Sequence, residues 1–145
     1  MKTVIKKFSE LTADELFEIM RIRVSVFVVE QNCPYQELDE FDKSAIHMYL
    51  EDKSGIVAYL RLMDKSEKRE FASIGRVLCL RRREGLATKL LSQAIETAKE
   101  QFGADKIYLE AQTYARGLYE KLGFKQISEE FLEDGIPHIK MLLEM

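Results

Sequence analysis

Apolar and polar positions change their spacing along this chain, and each change predicts an element. Residues 3–8, TVIKKF, read as a short first strand. Thr12 and Glu15 then form a capping-box pair, in which each side chain satisfies an orphan N–H of a helix's first turn. Leu16, Met20, Arg23/Val24 and Phe27 follow at helical spacing. Val24 to Val29 are rich in β-branched residues, which predicts that the helix frays or ends there. Residues 30–44 are polar and acidic, carry Pro34, and read as a long loop of the kind that often serves function. Residues 45–51 alternate, with Ile46, Met48 and Leu50 on one face and His47 and Tyr49 on the other, which predicts a half-buried strand. Gly55 marks a turn, and 56–63 supply the hairpin partner. The charged run 64–70 reads as a solvated connection. Residues 71–80 form a fourth strand, and Gly75 within it signals a bulge or a close backbone approach. Leu86, Leu90, Ala94 and Ala98 recur every four residues in a helix that Gly103 stops. Then come a strand at 106–110, a short helix at 114–122 ending at Gly123, and a strand from Phe124. An acidic turn at 129–135 ends in Asp134-Gly135, and a last strand covers 136–143. The order β-α-β-β-β-α-β-α-β-β predicts an α/β fold with a mixed sheet.

Composition narrows the function classes. The 145 residues suit one domain, 1–145, and 46% apolar content is enough to offset chain entropy, so disorder is disfavoured. Lys+Arg 22 against Asp+Glu 25 leaves a net charge of −3, which gives no electrostatic support to a nucleic-acid or membrane-surface role. No apolar run approaches the ~20 residues of a bilayer span. The start, MKTVIKKF, develops no apolar signal region. Cys33 and Cys79 form no CxxC pair, and a reduced, cytoplasmic protein is the simplest expectation. His47 and His138 sit in no metal-ligand spacing, so no metal is expected.

The segment 76–91, RVLCLRRREGLATKLL, is the most informative: a strand runs into a basic, glycine-containing turn that opens an amphipathic helix. The first N–H groups of a helix have no internal partner, the helix dipole adds positive potential, and such a place binds phosphate. Gly85 lets the backbone approach a ligand, and Arg81, Arg82 and Arg83 raise the local potential. Neither GxGxxG nor GxxxxGK[ST] is present. On physical grounds alone, an ordinary strand–helix turn with exposed arginines explains the segment equally well.

The run Arg82-Arg83-Glu84-Gly85-Leu86-Ala87 resembles the Gln/Arg-x-x-Gly-x-Gly/Ala signature of the GCN5-related N-acetyltransferases, the GNAT superfamily. It lies between the right strand and the right helix. Leu118-Tyr119-Glu120-Lys121-Leu122-Gly123-Phe124 resembles that superfamily's tyrosine-bearing helix and the strand after it. Residues Phe27 to Asp39, His47, Ile74-Gly75-Arg76-Val77 and Glu133 to His138 further resemble the ElaA-like branch. Arg83 stands where the signature often has Gly, and Gln112 where many members carry Asn.

The resemblance implies a GNAT-type acyl-CoA N-acyltransferase fold, a mixed central sheet flanked by helices. It implies an enzyme that uses acetyl-CoA as cosubstrate and a primary amine, of a small molecule or a peptide, as acceptor. Cofactor-binding residues would be Val77, Leu78 and Cys79, whose backbone pairs with the pantetheine arm, and Arg82, Arg83, Glu84, Gly85, Leu86, Ala87 and Thr88, whose N–H groups cradle the pyrophosphate. A free N–H of that strand would stabilise the developing oxyanion. Tyr119 resembles the general acid, since a phenol is protonated at neutral pH and can donate to a departing thiolate.

An ammonium acceptor must first lose a proton, because a lysine-like amine titrates near 10.4. The fourth strand contains no acid, so the base is open among Glu37, Asp39, Glu110, His138 and a relayed water. Glu37, Asp39 and His138 are candidates for the acceptor site, while solvated surface charge explains the acidic loop as well. His47 reads as a structural histidine and Cys79 as a strand thiol. A non-catalytic acyl-CoA-binding module is the second functional reading, and an interaction domain the third. GNAT domains of this size occur as monomers and as homodimers, and no apolar stripe in this chain decides between them.

Overall fold

The computed structural model describes residues 1–145. Strand β1 (Lys2–Lys7) leads into helix α1 (Ala13–Arg23), a π-helical turn (Val24–Glu30) and the short helix α2 (Phe41–Ser44). Three strands follow, β2 (Ile46–Asp52), β3 (Gly55–Met63) and β4 (Ala72–Cys79), and then helix α3 (Leu86–Phe102). The chain closes with β5 (Lys106–Gln112), α4 (Arg116–Lys121), β6 (Lys125–Gln126), β7 (Phe131–Glu133) and β8 (Ile136–Glu144). The strands make one mixed sheet in the order β1-β2-β3-β4-β5-β8-β6, with β7 also paired to β8. Every pairing is antiparallel except β4 with β5.

Each face of the sheet carries a core. Ile46, Met48, Leu50, Leu60 and Leu62 pack with Leu86, Leu90, Leu91, Ala94 and Ala98 of α3, so α3 covers one face. Fully burying a leucine stabilises by roughly 1.5–3 kcal/mol, and the four-residue spacing in α3 is that contact read off the sequence. On the other face Val4, Tyr49, Tyr59 and Leu78 pack against Ile19 and Ile22 of α1 and Phe27.

The second core accounts for two departures from the sequence pattern. The α-helix ends at Arg23, as the β-branched run predicts, but the chain stays helical and continues in a wider π-helical turn to Glu30. β-branched residues lose only a few tenths of a kcal/mol in a helix, less than burying Phe27 returns. Nor is β2 half-buried. His47 and Tyr49 are as inaccessible as Met48, because α1 and Phe27 pack over Tyr49 while Asp42 and Phe8 stand against His47.

The remaining corrections are local. Residues 30–44 are not wholly loop, since α2 lies within them. The acidic stretch before Asp134 is not turn throughout. Phe131–Glu133 form β7, joined to β8 by a two-residue loop in which Asp134 and Gly135 have φ of 53° and 77°. Two positive φ values in succession define the type I′ hairpin that Asp-Gly favours. Phe124 precedes its strand and is buried edge-on to Tyr119, at a ring separation of 5.9 Å. The 64–70 connection is exposed except for Arg69, whose guanidinium stands 4.8 Å over the Phe41 ring.

Candidate active site

The sheet parts in its middle. β4 and β5 pair only at Ala72 with Ile107 and Ser73 with Tyr108, after which they separate. Past that point β4 bulges. Tyr59 pairs with Leu78 but Arg61 pairs with Gly75, so β4 carries one extra residue. Arg76 holds the bulge at φ 53°, while Gly75 beside it is not in the left-handed region. The bulge reverses the strand's facing. Ile74 packs towards α3; after the bulge Val77 and Cys79 pack against that same core, and Leu78 turns to the α1 side. The backbone from Ile74 onward faces the gap without a strand partner on the β5 side.

The gap leads to the start of α3. Arg83 and Gly85 both take left-handed φ values, 64° and 70°, and reverse the chain between β4 and the helix. Gly85 is the N-cap residue and supplies no side-chain cap. The contrast with α1 is direct, since there Thr12 Oγ1 accepts from Glu15 N at 3.1 Å while Glu15 Oε1 accepts from Thr12 N at 2.9 Å. The first N–H groups of α3 are left open, with the dipole's positive end among them. Arg82, Arg83 and Glu84 are exposed. Arg81 is committed elsewhere, to Asp52 and to Ser54 Oγ at 2.8 Å.

Tyr119 stands on α4, buried in the core that also contains Leu86 and that Val77 and Cys79 flank. Burial, with a smaller contribution from Tyr114, pushes its hydroxyl above the ordinary tyrosine range, so the proton stays on at neutral pH. At the C-terminal end of β5 the Thr113 hydroxyl is buried without a partner. The Cys79 thiol is half-buried and lies 2.9 Å from the Arg81 carbonyl oxygen.

A buried ionic cage lies on the α1 side of the gap. Arg23 Nε donates to Glu37 Oε2 at 2.7 Å, and its Nη1 donates to Asp42 Oδ1 at 2.6 Å. Arg61 Nη1 reaches Asp39 Oδ1 at 2.7 Å and Asp42 Oδ1 at 2.9 Å. Arg76 Nε donates to Glu37 Oε2 at 2.9 Å, and Tyr35 Oη donates to Glu37 Oε1 at 2.7 Å. Three arginines face three carboxylates, so the formal charges cancel. Burial raises the Asp39 and Asp42 carboxyls, but the arginine hydrogen bonds outweigh it and hold both below the ordinary range. His47 is tied in through Nε2, 2.8 Å from the Asp42 carbonyl oxygen, and Nδ1, 2.7 Å from Tyr59 Oη. A carbonyl can only accept, so Nε2 carries the proton and Nδ1 accepts from the tyrosine. Burial lowers the imidazole's pKa and keeps it neutral.

His138 belongs to another group. Its Nδ1 is 2.7 Å from the Ile136 carbonyl oxygen, which assigns the proton to Nδ1, and its Nε2 is 3.7 Å from Glu133 Oε2. The ring stacks on Phe131 at 6.0 Å. Burial, then the nearby Glu110, raises the Glu133 carboxyl above the ordinary glutamate range. Tyr108 Oη donates to Glu110 at 2.7 Å. The Cys33 thiol, two residues before Tyr35, lies 3.3 Å from the Asp134 carbonyl oxygen.

The structure thus gathers Val77, Cys79, Leu86 and Tyr119 around one core beside the gap. It places Glu37 and Asp39 in the cage and His138 with Glu133. Sequence reasoning missed Arg23, Asp42, Arg61 and Arg76. The available signal was charge inside apolar patterns, with Arg23 between Met20 and Phe27 on the helix stripe and Arg61 within IVAYLRLM.

With this geometry in hand, the comparisons are decisive for family. The model of the acetyltransferase (GNAT) domain matches residues 10–145. A UPF0039 protein of Schizosaccharomyces pombe is 43% identical over 100% of this chain and 98% of its own length. The crystal structure of Escherichia coli ElaA superposes with a TM-score of 0.91 at 35% identity, covering 99% of both chains. That of an acyl-CoA N-acyltransferase from Pseudomonas aeruginosa superposes with a TM-score of 0.90 at 35% identity, also covering 99% of both. The chain belongs to the GNAT acetyltransferase family, in its ElaA-like branch.

Proposed function

We propose that this protein transfers an acetyl group from acetyl-CoA to the primary amine of a small molecule or peptide. The observation that carries the reading is the β4/β5 gap opening onto an uncapped, glycine-led, basic helix start. The free backbone of Val77 to Cys79 suits the amide-bearing pantetheine arm, and the open N–H groups of residues 83–88 suit its pyrophosphate. Acetyl-CoA supplies the activated acyl group. The amine nitrogen bonds to the acetyl carbon, the carbon–sulfur bond breaks, and the sulfur takes up a proton. Tyr119 is the donor in this reading, because its hydroxyl stays protonated in the buried site.

The acceptor's proton needs a base, and β4 has no carboxylate to offer. Nε2 of His138 bears a lone pair while Nδ1 is spent on the Ile136 carbonyl, which makes it the best-placed of the candidates, with Glu133 and Glu110 drawing a cationic amine. Glu37 and Asp39 serve the acceptor less directly, because arginines occupy both. The acid-free β4 also supports a second reading, an acyl-CoA-binding module without turnover.

An amine panel assayed by thiol release from acetyl-CoA tests the proposal. Turnover that falls at least tenfold in Tyr119→Phe, with acetyl-CoA affinity kept, supports a catalytic tyrosine. Cofactor binding without turnover on any amine supports the binding module.

A further inference from the structure

We propose that Glu37 is a positioning residue for acyl-CoA binding: its buried carboxylate holds Arg76 in the left-handed conformation that forms the β4 bulge. The inference rests on the reading that the β4/β5 gap receives acetyl-CoA.

The argument begins with the backbone. Arg76 has φ 53°, a conformation in which an L side chain's Cβ crowds its own backbone. Strand residues do not adopt it without an external hold, and such strain persists only where the surroundings over-determine it. Glu37 supplies the hold twice. Its Oε2 accepts from Arg76 Nε at 2.9 Å, and its main-chain oxygen accepts from Arg76 Nη2 at 3.0 Å. Asp39 lies 3.6 Å from Nη2, and the Arg76 guanidinium stands 5.7 Å from the Tyr35 ring centroid.

Glu37 is itself immobilised. It is 4% exposed, its Oε2 also takes the Arg23 Nε bond, and its Oε1 takes the Tyr35 hydroxyl. Arg23 is the last residue of α1 and is fully buried. A rigid chain of contacts therefore runs from α1 through Arg23 and Glu37 to Arg76. The bulge is where β4 changes its facing, one residue before Val77. Fixing φ at Arg76 fixes the direction of the backbone groups that follow it into the gap. Both carboxylate oxygens of Glu37 are engaged and the side chain is buried, so it acts on the site through Arg76.

The test compares two truncations at one position. Arg76→Ala and Arg76→Gly both delete the guanidinium, but glycine accepts a positive φ freely and alanine does not. Acetyl-CoA affinity is measured by calorimetry on the full chain for the wild type, both variants, Glu37→Gln and Glu37→Gln/Arg76→Gly. The expected result is that Arg76→Ala binds roughly tenfold more weakly than Arg76→Gly, the penalty of the left-handed conformation expressed as affinity. Glu37→Gln weakens binding, and adding Arg76→Gly to it recovers part of the loss. A merely stabilising Glu37 predicts no such rescue. Equal binding by the alanine and glycine variants overturns the inference, as does unchanged binding in a folded Glu37→Gln. If Glu37→Gln does not fold, Arg76→Ala stands in for it, because alanine keeps a Cβ and loses the Glu37 contacts: binding as tight as the wild type overturns the inference. A wild type that fails to bind millimolar acetyl-CoA overturns the proposed function, and this inference with it.

Discussion

Arg23 Nη1 and Asp42 Oδ1 meet at 2.6 Å, with their side chains 0% and 6% exposed, and so join the end of α1 to α2. Burial disfavours both charges. The hydrogen bonds between them win, raising the Arg23 pKa further above its ordinary value and lowering that of Asp42. Removing one member of such a pair strands the other in a place with little water. We expect Asp42→Ala to cost about 3–5 kcal/mol, since Arg23 and Arg61 both lose a partner. Urea denaturation measures this, and a loss below about 1 kcal/mol is incompatible with the cage as described.

Stability should also fall in mild acid, in a window set by His47. Its folded pKa is depressed by burial, whereas an unfolded histidine titrates near 6.5. As pH drops through that value the unfolded chain takes up a proton that the folded one refuses. The stability His47 contributes is therefore complete above about pH 6.5 and drains away below it. Asp39 and Asp42 act in a separate window, below the unfolded aspartate value of about 3.9. Thermal midpoints at pH 7.5 and 5.5 should differ less in His47→Gln than in the wild type. An identical pH dependence would remove His47 as the cause.

The α3 start should respond to charge. A Cβ on Gly85 meets nothing within 4 Å, so Gly85→Glu adds left-handed strain and a negative charge without a clash. Acetyl-CoA at 100 times its dissociation constant should stabilise the wild type by about 2.7 kcal/mol, a shift of several degrees. We expect Gly85→Glu to abolish that shift while the protein still melts cooperatively. A full shift in the variant moves the pyrophosphate away from this turn.

The capped helix offers a control with no expected effect on binding. Thr12→Ala removes the acceptor for Glu15 N and half of the reciprocal box. The cost should be about 1 kcal/mol. Glu15 is also held by Tyr49 and Lys6; burial pushes its carboxyl up, but these hydrogen bonds and the Thr12 N–H bring it down to about 2. Acetyl-CoA affinity should not change.

Much of this fold was legible because its evidence is local. The alternation in 45–51, the four-residue spacing in α3, the Asp134-Gly135 turn and the bulge signal at Gly75 each concern residues near in sequence. The cage was not legible, because its partners are distant: Glu37 is 14 residues from Arg23 and 39 from Arg76. Read from the loop alone, Glu37 and Asp39 look like exposed acids facing solvent or an amine. Only the folded sheet shows that arginines wait beneath them. The same cause hid the second burial of β2, since nothing within 45–51 records that α1 lies across Tyr49 or that Asp42 and Phe8 stand against His47. The glycine-led start of α3 was legible, while the family motif was needed to separate it from an ordinary surface turn.

The separation of β4 from β5 also bears on solubility. An unpaired strand edge invites another chain to add itself, which is how many sheets begin to aggregate. The outer boundaries here are guarded in familiar ways, with Lys2, Lys6 and Lys7 along β1 and a two-residue β6 at the far side. The inner boundary needs no such guard. It lies inside the sheet, with β3 on one side and β5 with β8 on the other, so it is not an outer edge to which another sheet can add itself. The protein thus carries an open strand edge inside its sheet, where flanking strands stand in for the lysines and short strand that guard the outer edges.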